Sequence, residues 1–157
     1  MKIGKITEKT REFVSRQIAE SWGSVMVVSR GVLHDTRLLN GFVVMENDML
    51  AGYALYNIEG GECELVVLES VVQNHGLGAA LISEVKRVAT EANCRRVWLI
   101  TTNDNTHAIR FYQKRGLELA GVRLNVMDEA RLLKPQIPPT GDDGIPIKHE
   151  FEFEILL

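Results

Sequence analysis

A chain of 157 residues, 45% apolar and 25% charged, has the size and balance of one hydrophobic core. Its net charge of −3 gives no electrostatic footprint for a nucleic-acid partner. No apolar run is long enough for a membrane span, and polar residues rather than a secretory leader follow Met1-Lys2-Ile3-Gly4-Lys5.

Residues 2–7 are expected as a short strand. Residues 8–22 read as a helix, with Phe13, Val14, Ile18 and Trp22 at helical spacing. Val25 to Val28 reads as extended, and residues 31–40 as a loop or short helix. Strands follow at 41–46 and 50–58, joined through Asn47-Asp48, and Gly60-Gly61 leads into a strand over 62–69. A glycine-spaced turn then opens a helix to about Glu91. Residues 95–102 read as a strand, 105–115 as a helix and 117–125 as a strand. Prolines and glycines make 134–146 a loop. Beyond it Phe151-Glu152-Phe153-Glu154-Ile155 alternates strictly, the pattern of a half-buried strand expected to insert into the sheet. Cys63 and Cys94 lie far apart without zinc spacing and read as buried, reduced thiols in a cytoplasmic, metal-free protein.

The chemistry concentrates in Gln73-Asn74-His75-Gly76-Leu77-Gly78-Ala79. Glycines at 76 and 78 allow a sharp turn and a close ligand approach, and the amides of His75, Gly76, Gly78 and Ala79 can converge at a helix N-terminus. Unpaired N–H groups and the positive end of the helix dipole suit a phosphate. An ordinary strand-to-helix turn uses glycine in the same way. A Walker loop is excluded because no lysine follows these glycines, and a dinucleotide fingerprint because Leu81 stands where its third glycine belongs. A nucleotide-phosphate binder is therefore disfavoured.

The Gln-x-x-Gly-x-Gly pattern resembles the acyl-CoA loop of the GNAT superfamily of N-acetyltransferases. A second segment, Asn105-Thr106-His107-Ala108-Ile109-Arg110-Phe111-Tyr112-Gln113-Lys114-Arg115-Gly116-Leu117, matches the family's Asn-x-x-Ala-x-x-Phe-Tyr-x-x-x-Gly-Phe helix, with Leu117 in place of the final aromatic. Read physically, Asp104 or Asn105 caps this helix, Ala108, Ile109 and Phe111 pack inward, and Gly116 ends it. Core packing alone also accounts for the Phe111-Tyr112 pair. The resemblance covers residues 41–125 most strongly.

The resemblance implies a single 1–157 domain with the GNAT acyl-CoA N-acyltransferase fold, a mixed α/β sheet whose central strands splay apart. Here those strands are 62–69 and 95–102. It implies acetyl-CoA as cosubstrate, without metal, and direct transfer of the acetyl group to an amine in a ternary complex. The pyrophosphate falls to Gln73, His75, Gly76, Gly78 and Ala79. The pantetheine arm falls to the backbone near Leu68, Ser70 and Val71, with Asn105 on the opposite wall. Tyr112 is the candidate acid for the leaving thiolate. Glu64 and Glu69 are the candidate bases; five residues apart, they point to opposite faces of a regular strand unless a bulge intervenes. Trp22, Arg30 and His34 are candidates for the acceptor pocket, with Asp35 beside them, and His34 is an alternative base. Such residues also occur in solvated loops. The partners implied are acetyl-CoA and an amine of unknown identity, with neither nucleic acid nor membrane; a homodimer stays open. A catalytically silent acyl-CoA-binding sensor is the alternative from another class.

Overall fold

Thr7 and Thr10 start the first helix by a reciprocal exchange. The Thr10 N–H donates to Thr7 Oγ1 at 3.2 Å, and the Thr7 N–H to Thr10 Oγ1 at 2.8 Å. Helix α1 then runs over Glu8–Trp22 and closes at Gly23, whose φ of 78° suits glycine.

The computed structural model describes residues 2–72 and 76–157. Among them lie strands β1 (Ile3–Lys5), β2 (Met26–Ser29), β3 (Val32–Asp35), β4 (Asn40–Glu46), β5 (Met49–Glu59), β6 (Glu62–Ser70), β7 (Arg96–Thr102), β8 (Glu118–Arg123) and β9 (Glu150–Leu156). The further helices are α2 (Leu77–Glu91), α3 (Thr106–Lys114) and α4 (Met127–Leu133). Seven strands form one mixed sheet in the order β1-β4-β5-β6-β7-β9-β8, while β2 and β3 form a separate hairpin. Within the large sheet β6 and β7 run parallel and the other neighbours antiparallel. No helix among the described residues is long and apolar enough to cross a membrane.

Strand alternation builds two cores. Phe42, Val44, Ala54, Cys63 and Leu65 face α2, which buries Leu77, Leu81, Ile82, Val85 and Ala89 against them. Val43, Tyr53, Leu55 and Val67 face the other way, onto Val14 and Ile18 of α1. Removing a fully buried side chain such as Leu81 would cost about 2–5 kcal/mol.

Two irregularities shape the middle of the sheet. β6 and β7 share only the register pairs Cys63↔Val97 and Glu64↔Trp98, and part beyond them. Each keeps its outer partner: β6 pairs with β5 as far as Ser70↔Gly52, and β7 with β9 as far as Thr102↔Glu150. The inner edges therefore lose ladder partners and need other ones. On the β5 side, the register jumps from Leu55↔Val67 to Tyr56↔Leu65, leaving Val66 as the extra residue of a β-bulge.

Several expectations hold. Residues 8–22 are α1, the central strands splay, and β9 inserts between β7 and β8 with Phe153 buried. Others do not. Residues 31–40, expected as a loop or short helix, hold a short 3-10 helix at Thr36–Leu38, but before it Val32–Asp35 pairs with β2 around Arg30-Gly31, whose φ values are 51° and 75°. An arginine in the left-handed conformation carries little hairpin signal. Helix α4 was likewise unforeseen; it is short, lacks a side-chain N-cap bond and is held by Met127 and Ala130 packing on Ile147. Trp22 continues the helical stripe, but the chain leaves α1 at Gly23 and the residue is 41% exposed.

Candidate active site

The extra residue Val66 changes which way the acidic side chains of β6 point. Glu64 and Glu69 would lie on opposite faces of a regular strand; the bulge puts both on the α1 side of the sheet. Glu69 is fixed there by two hydroxyls: Tyr53 donates to Oε1 at 2.9 Å and Ser21 to Oε2 at 2.8 Å. Burial, reinforced by this neighbouring carboxylate, raises the Tyr53 phenol well above its ordinary range.

Glu64 is buried, at 5% exposure. Such a carboxylate is costly without partners. The hairpin supplies them: Ser29 Oγ donates at 2.6 Å, and His34 Nε2 lies 3.4 Å from the other oxygen. Around Glu64 opens a hollow of about 260 Å³. The hairpin gives it one wall through Ser29, Arg30, Val32 and His34; β5 gives Asn57 and Glu59; Glu62, Glu64 and Trp98 complete it from β6 and β7.

Arginines brace this face. The Arg30 guanidinium sits 4.8 Å from the Trp98 ring centroid and 3.5 Å from Glu152. Arg96 lies 5.5 Å from the same ring and donates to Glu62, Glu152 and Glu154 at 2.9, 2.8 and 2.7 Å. Burial pulls its pKa down, but these carboxylates outweigh that and hold it charged. Hydrogen bonds from Arg96 and then Arg95 in turn keep the Glu62 carboxyl below its usual value. Glu150, 3% exposed, is pushed up instead, because burial dominates over Arg123 and the Arg30 backbone.

On the opposite face, α2 and α3 begin beyond the C-terminal ends of the parallel pair β6 and β7, the usual place for a ligand crevice in parallel sheets. α2 starts at Gly76 with φ 87° and without a side-chain cap, unlike α1 and α3. The amides of Leu77, Gly78 and Ala79 therefore lack helical acceptors. A Cβ built on Gly76 meets nothing within 4 Å, whereas one on Gly78 would come 2.9 Å from the Phe111 ring. The second glycine thus also serves helix–helix contact. Gln73 and His75 lie outside the described residues. Leu68 packs against the α2-side core, Ser70 is exposed, and the Val71 N–H already donates to Ala51 O at 2.8 Å. Asn105 Oδ1 caps α3 through the Ala108 N–H at 3.3 Å. Tyr112 is buried between Phe111 and Phe153, and burial raises its phenol above the ordinary range.

The acetyltransferase (GNAT) family model matches residues 8–117. The chain belongs to the GNAT acetyltransferase family. It is 40% identical over 147 residues to the uncharacterized protein YdhI of Bacillus subtilis, covering 93% of this chain and 92% of that one. Among solved structures, a Bacillus subtilis acetyltransferase in complex with CoA superposes with a TM-score of 0.72 at 16% identity, over 99% and 98% of the two chains. A GNAT family acetyltransferase from Elizabethkingia anophelis with acetyl-CoA bound gives 0.72 at 17% identity, over 99% and 97%. These likenesses establish the fold, with its mostly antiparallel central sheet.

Within this GNAT fold, Arg30, His34 and Glu64 come together in one hollow. Trp22 is not among its lining residues; it follows Ser21, the partner of Glu69. Asp35 turns to Arg37 instead, at 2.8 Å. Sequence reading missed Ser29, Asn57, Glu59 and Trp98. The alternation Arg96-Trp98-Ile100 was the available signal for Trp98, but only the strand register reveals its neighbours. Among the described residues no group of three or more His, Cys, Asp or Glu side chains is arranged to hold a metal ion.

Proposed function

We propose that residues 1–157 form one acetyltransferase domain that moves an acetyl group from acetyl-CoA to a primary amine, by direct attack in a ternary complex. One observation carries this reading. β6 and β7 separate directly beyond Glu64 and Trp98, and those two residues line the hollow. A thioester arm lying between the parted strands ends beside a buried carboxylate.

In this reading the pantetheine arm pairs with the open edge of β6 near Leu68, Ser70 and the Val71 carbonyl, as an added strand would. Asn105 flanks it from α3. The uncapped first turn of α2, with Gly76, Gly78 and Ala79, takes the pyrophosphate, joined by Gln73 and His75. The amine enters from the hairpin side. Its nitrogen attacks the thioester carbon, and Glu64 accepts the proton that nitrogen must lose; His34 passes it outward. A backbone N–H of the open β6 edge near Leu68 stabilises the oxyanion. The C–S bond then breaks and the electron pair leaves on sulfur. Tyr112 faces that sulfur as a hydrogen-bond donor. Its raised pKa makes it a poorer acid than a thiol of about 8.5, so full proton transfer to the thiolate runs uphill. Glu69, with both oxygens engaged, anchors α1 to the sheet. The buried, free thiols of Cys63 and Cys94 suit the reducing cytoplasm.

Thiol release from acetyl-CoA across a panel of primary amines tests the proposal. Saturable release that depends on the amine is the expected result. Tight acetyl-CoA binding with no release for any amine would instead establish the catalytically silent binding module.

A further inference from the structure

Strand β8 closes one end of the seven-stranded sheet and pairs only with β9, so its outer edge presents unpaired N–H and C=O groups. β1, at the other end, has three residues; β8 has six, Glu118-Leu119-Ala120-Gly121-Val122-Arg123. Edge strands commonly block pairing with lysine or proline. β8 has neither, and it exposes two apolar side chains, Leu119 at 54% and Val122 at 46%. Three residues apart, these would face opposite ways in a regular strand. The register against β9 runs from Leu119↔Phe153 to Gly121↔Glu152 and Val122↔Phe151, so Ala120 is the extra residue of a bulge. Leu119 and Val122 therefore share the face of Phe153, and Glu118 and Arg123 share the face of Glu150 and Glu154. Among the described residues the Glu118 side chain has no hydrogen bond or ion pair, and it stands opposite a like charge, Glu154. Arg123 has only Glu150, at 3.9 Å.

We infer that β8 pairs with β8 of a second copy of this chain, antiparallel about a two-fold axis at Gly121, so that two sheets join into one. The strand is complementary to itself. With the bulge counted as one place, Gly121 meets Gly121, Leu119 meets Val122, and Glu118 meets Arg123 of the second copy. The two-fold repeats each unlike pair, giving two apolar contacts on one face and two Glu118–Arg123 ion pairs on the other. Glu118 gains the partner it lacks within its own chain, and the exposed Leu119 and Val122 cover each other. Charge and apolar order together select a second copy as the occupant of this edge. None of the residues lining the hollow around Glu64 belongs to β8, so the pairing stands apart from the acetyl-transfer reading.

Analytical ultracentrifugation of the full chain should show a monomer–dimer equilibrium. Glu118→Arg and Arg123→Glu each set like charges together at both symmetric places and should weaken the dimer at least about tenfold. Mixed one to one, the two variants again carry complementary edges, and a heterodimer should form with near-parental affinity. Gly121→Cys reads the register without touching the charges. A Cβ there meets only Glu152 Cβ, at 3.9 Å, while Cys63 and Cys94 are buried. A short bismaleimide should then link two copies through position 121. Should a charge reversal fail to fold, as its Tm would reveal, the cross-link decides alone. A parent protein that stays monomeric at every soluble concentration would overturn the inference. So would folded variants that fail to associate on mixing. A dimer that survives both reversals and gives no cross-link in Gly121→Cys would also overturn it, and would put the contact on another face.

Discussion

Glu64 and Trp98 are the last register pair that β6 and β7 share, and both line the same hollow. Beyond them the two strands keep their outer partners but not each other. The point where the sheet gives up its own hydrogen bonds is thus also the point where a buried carboxylate and an aromatic face meet open space. Trp98 is steadied by Arg30 and Arg96, and Glu64 by Ser29 and His34. Backbone pairing and side-chain chemistry change at the same place.

A base at Glu64 makes a directional prediction. Glu64→Gln keeps the Ser29 contact but cannot accept a proton. Turnover at neutral pH should fall by about 10²–10⁴-fold and recover partly at high pH, where more amine arrives neutral. Glu69→Gln should act differently, because Tyr53 and Ser21 lose a charged acceptor. Stability should drop by about 1–3 kcal/mol in urea unfolding, with less than about tenfold change in turnover. The reverse pattern would hand the role to Glu69. Loss of the low-pH limb of the pH–rate profile in His34→Asn, with both glutamine variants unchanged, would hand it to His34.

What the sequence made legible was local. Thr7 and the spacing of Val14 and Ile18 announce α1, and the alternation of Phe151, Phe153 and Ile155 announces β9, because each signal lies within one element. The motif residues around Gly76 and Tyr112 pointed to the family for the same reason. Val66 shows the limit. Its extra place in β6 exists only relative to β5, yet it decides that Glu64 and Glu69 share a face. Trp98 and Glu59 reach the hollow through strand pairings and the β2–β3 hairpin, which no single segment encodes. The hairpin was missed because its turn rests on Arg30 at positive φ rather than on an asparagine or glycine pair.

Acetyl-CoA binding should be visible in stability. At a hundred times its dissociation constant the ligand should stabilise the fold by ~2.7 kcal/mol, a Tm rise of roughly 5–10 °C for a chain of this size. ATP and NAD should shift Tm much less, since the α2 turn lacks the lysine and third glycine their loops require. An equal rise with NAD would contradict assignment of this turn to CoA.

Tyr112→Phe should preserve the packing against Phe111 and Phe153, and with it CoA affinity. A hydroxyl that donates a hydrogen bond to the departing sulfur should be worth about 10–150-fold in turnover. Unchanged turnover would reduce Tyr112 to a core residue. Loss of CoA binding together with turnover would mark its role as structural.

Glu150 ties stability to pH. Burial raises its folded pKa above the unfolded value of about 4.3, so above that pH the folded state holds a proton that the unfolded chain has released. Its contribution to stability is therefore fully present below about pH 4.3 and is lost as pH rises through the folded value. Glu150→Gln removes the titration while keeping the size. The variant should gain Tm relative to the parent near pH 7 and show a smaller advantage, or none, near pH 4. A loss near pH 7 that shrinks toward pH 4 would mean that the Arg30 and Arg123 contacts outweigh burial.

Gly78 separates two uses of a glycine. A methyl group there would approach the Phe111 ring to 2.9 Å, which argues for close contact between α2 and α3. Overpacking of this kind costs about 1–3 kcal/mol. Alanine's better helix propensity returns about 0.8–1 kcal/mol, so Gly78→Ala should lose up to about 2 kcal/mol. In a Phe111→Leu background the clash is absent, and the same substitution should be neutral or stabilising by up to about 1 kcal/mol. A double-mutant cycle in urea, run alongside acetyl-CoA titrations of each folded variant, reads both effects. Non-additive stability with near-parental CoA affinity in the Gly78→Ala protein would assign the glycine to helix packing. If Gly78→Ala weakens CoA binding at least tenfold while stability stays additive, the missing Cβ serves the ligand, and the Phe111 contact is incidental.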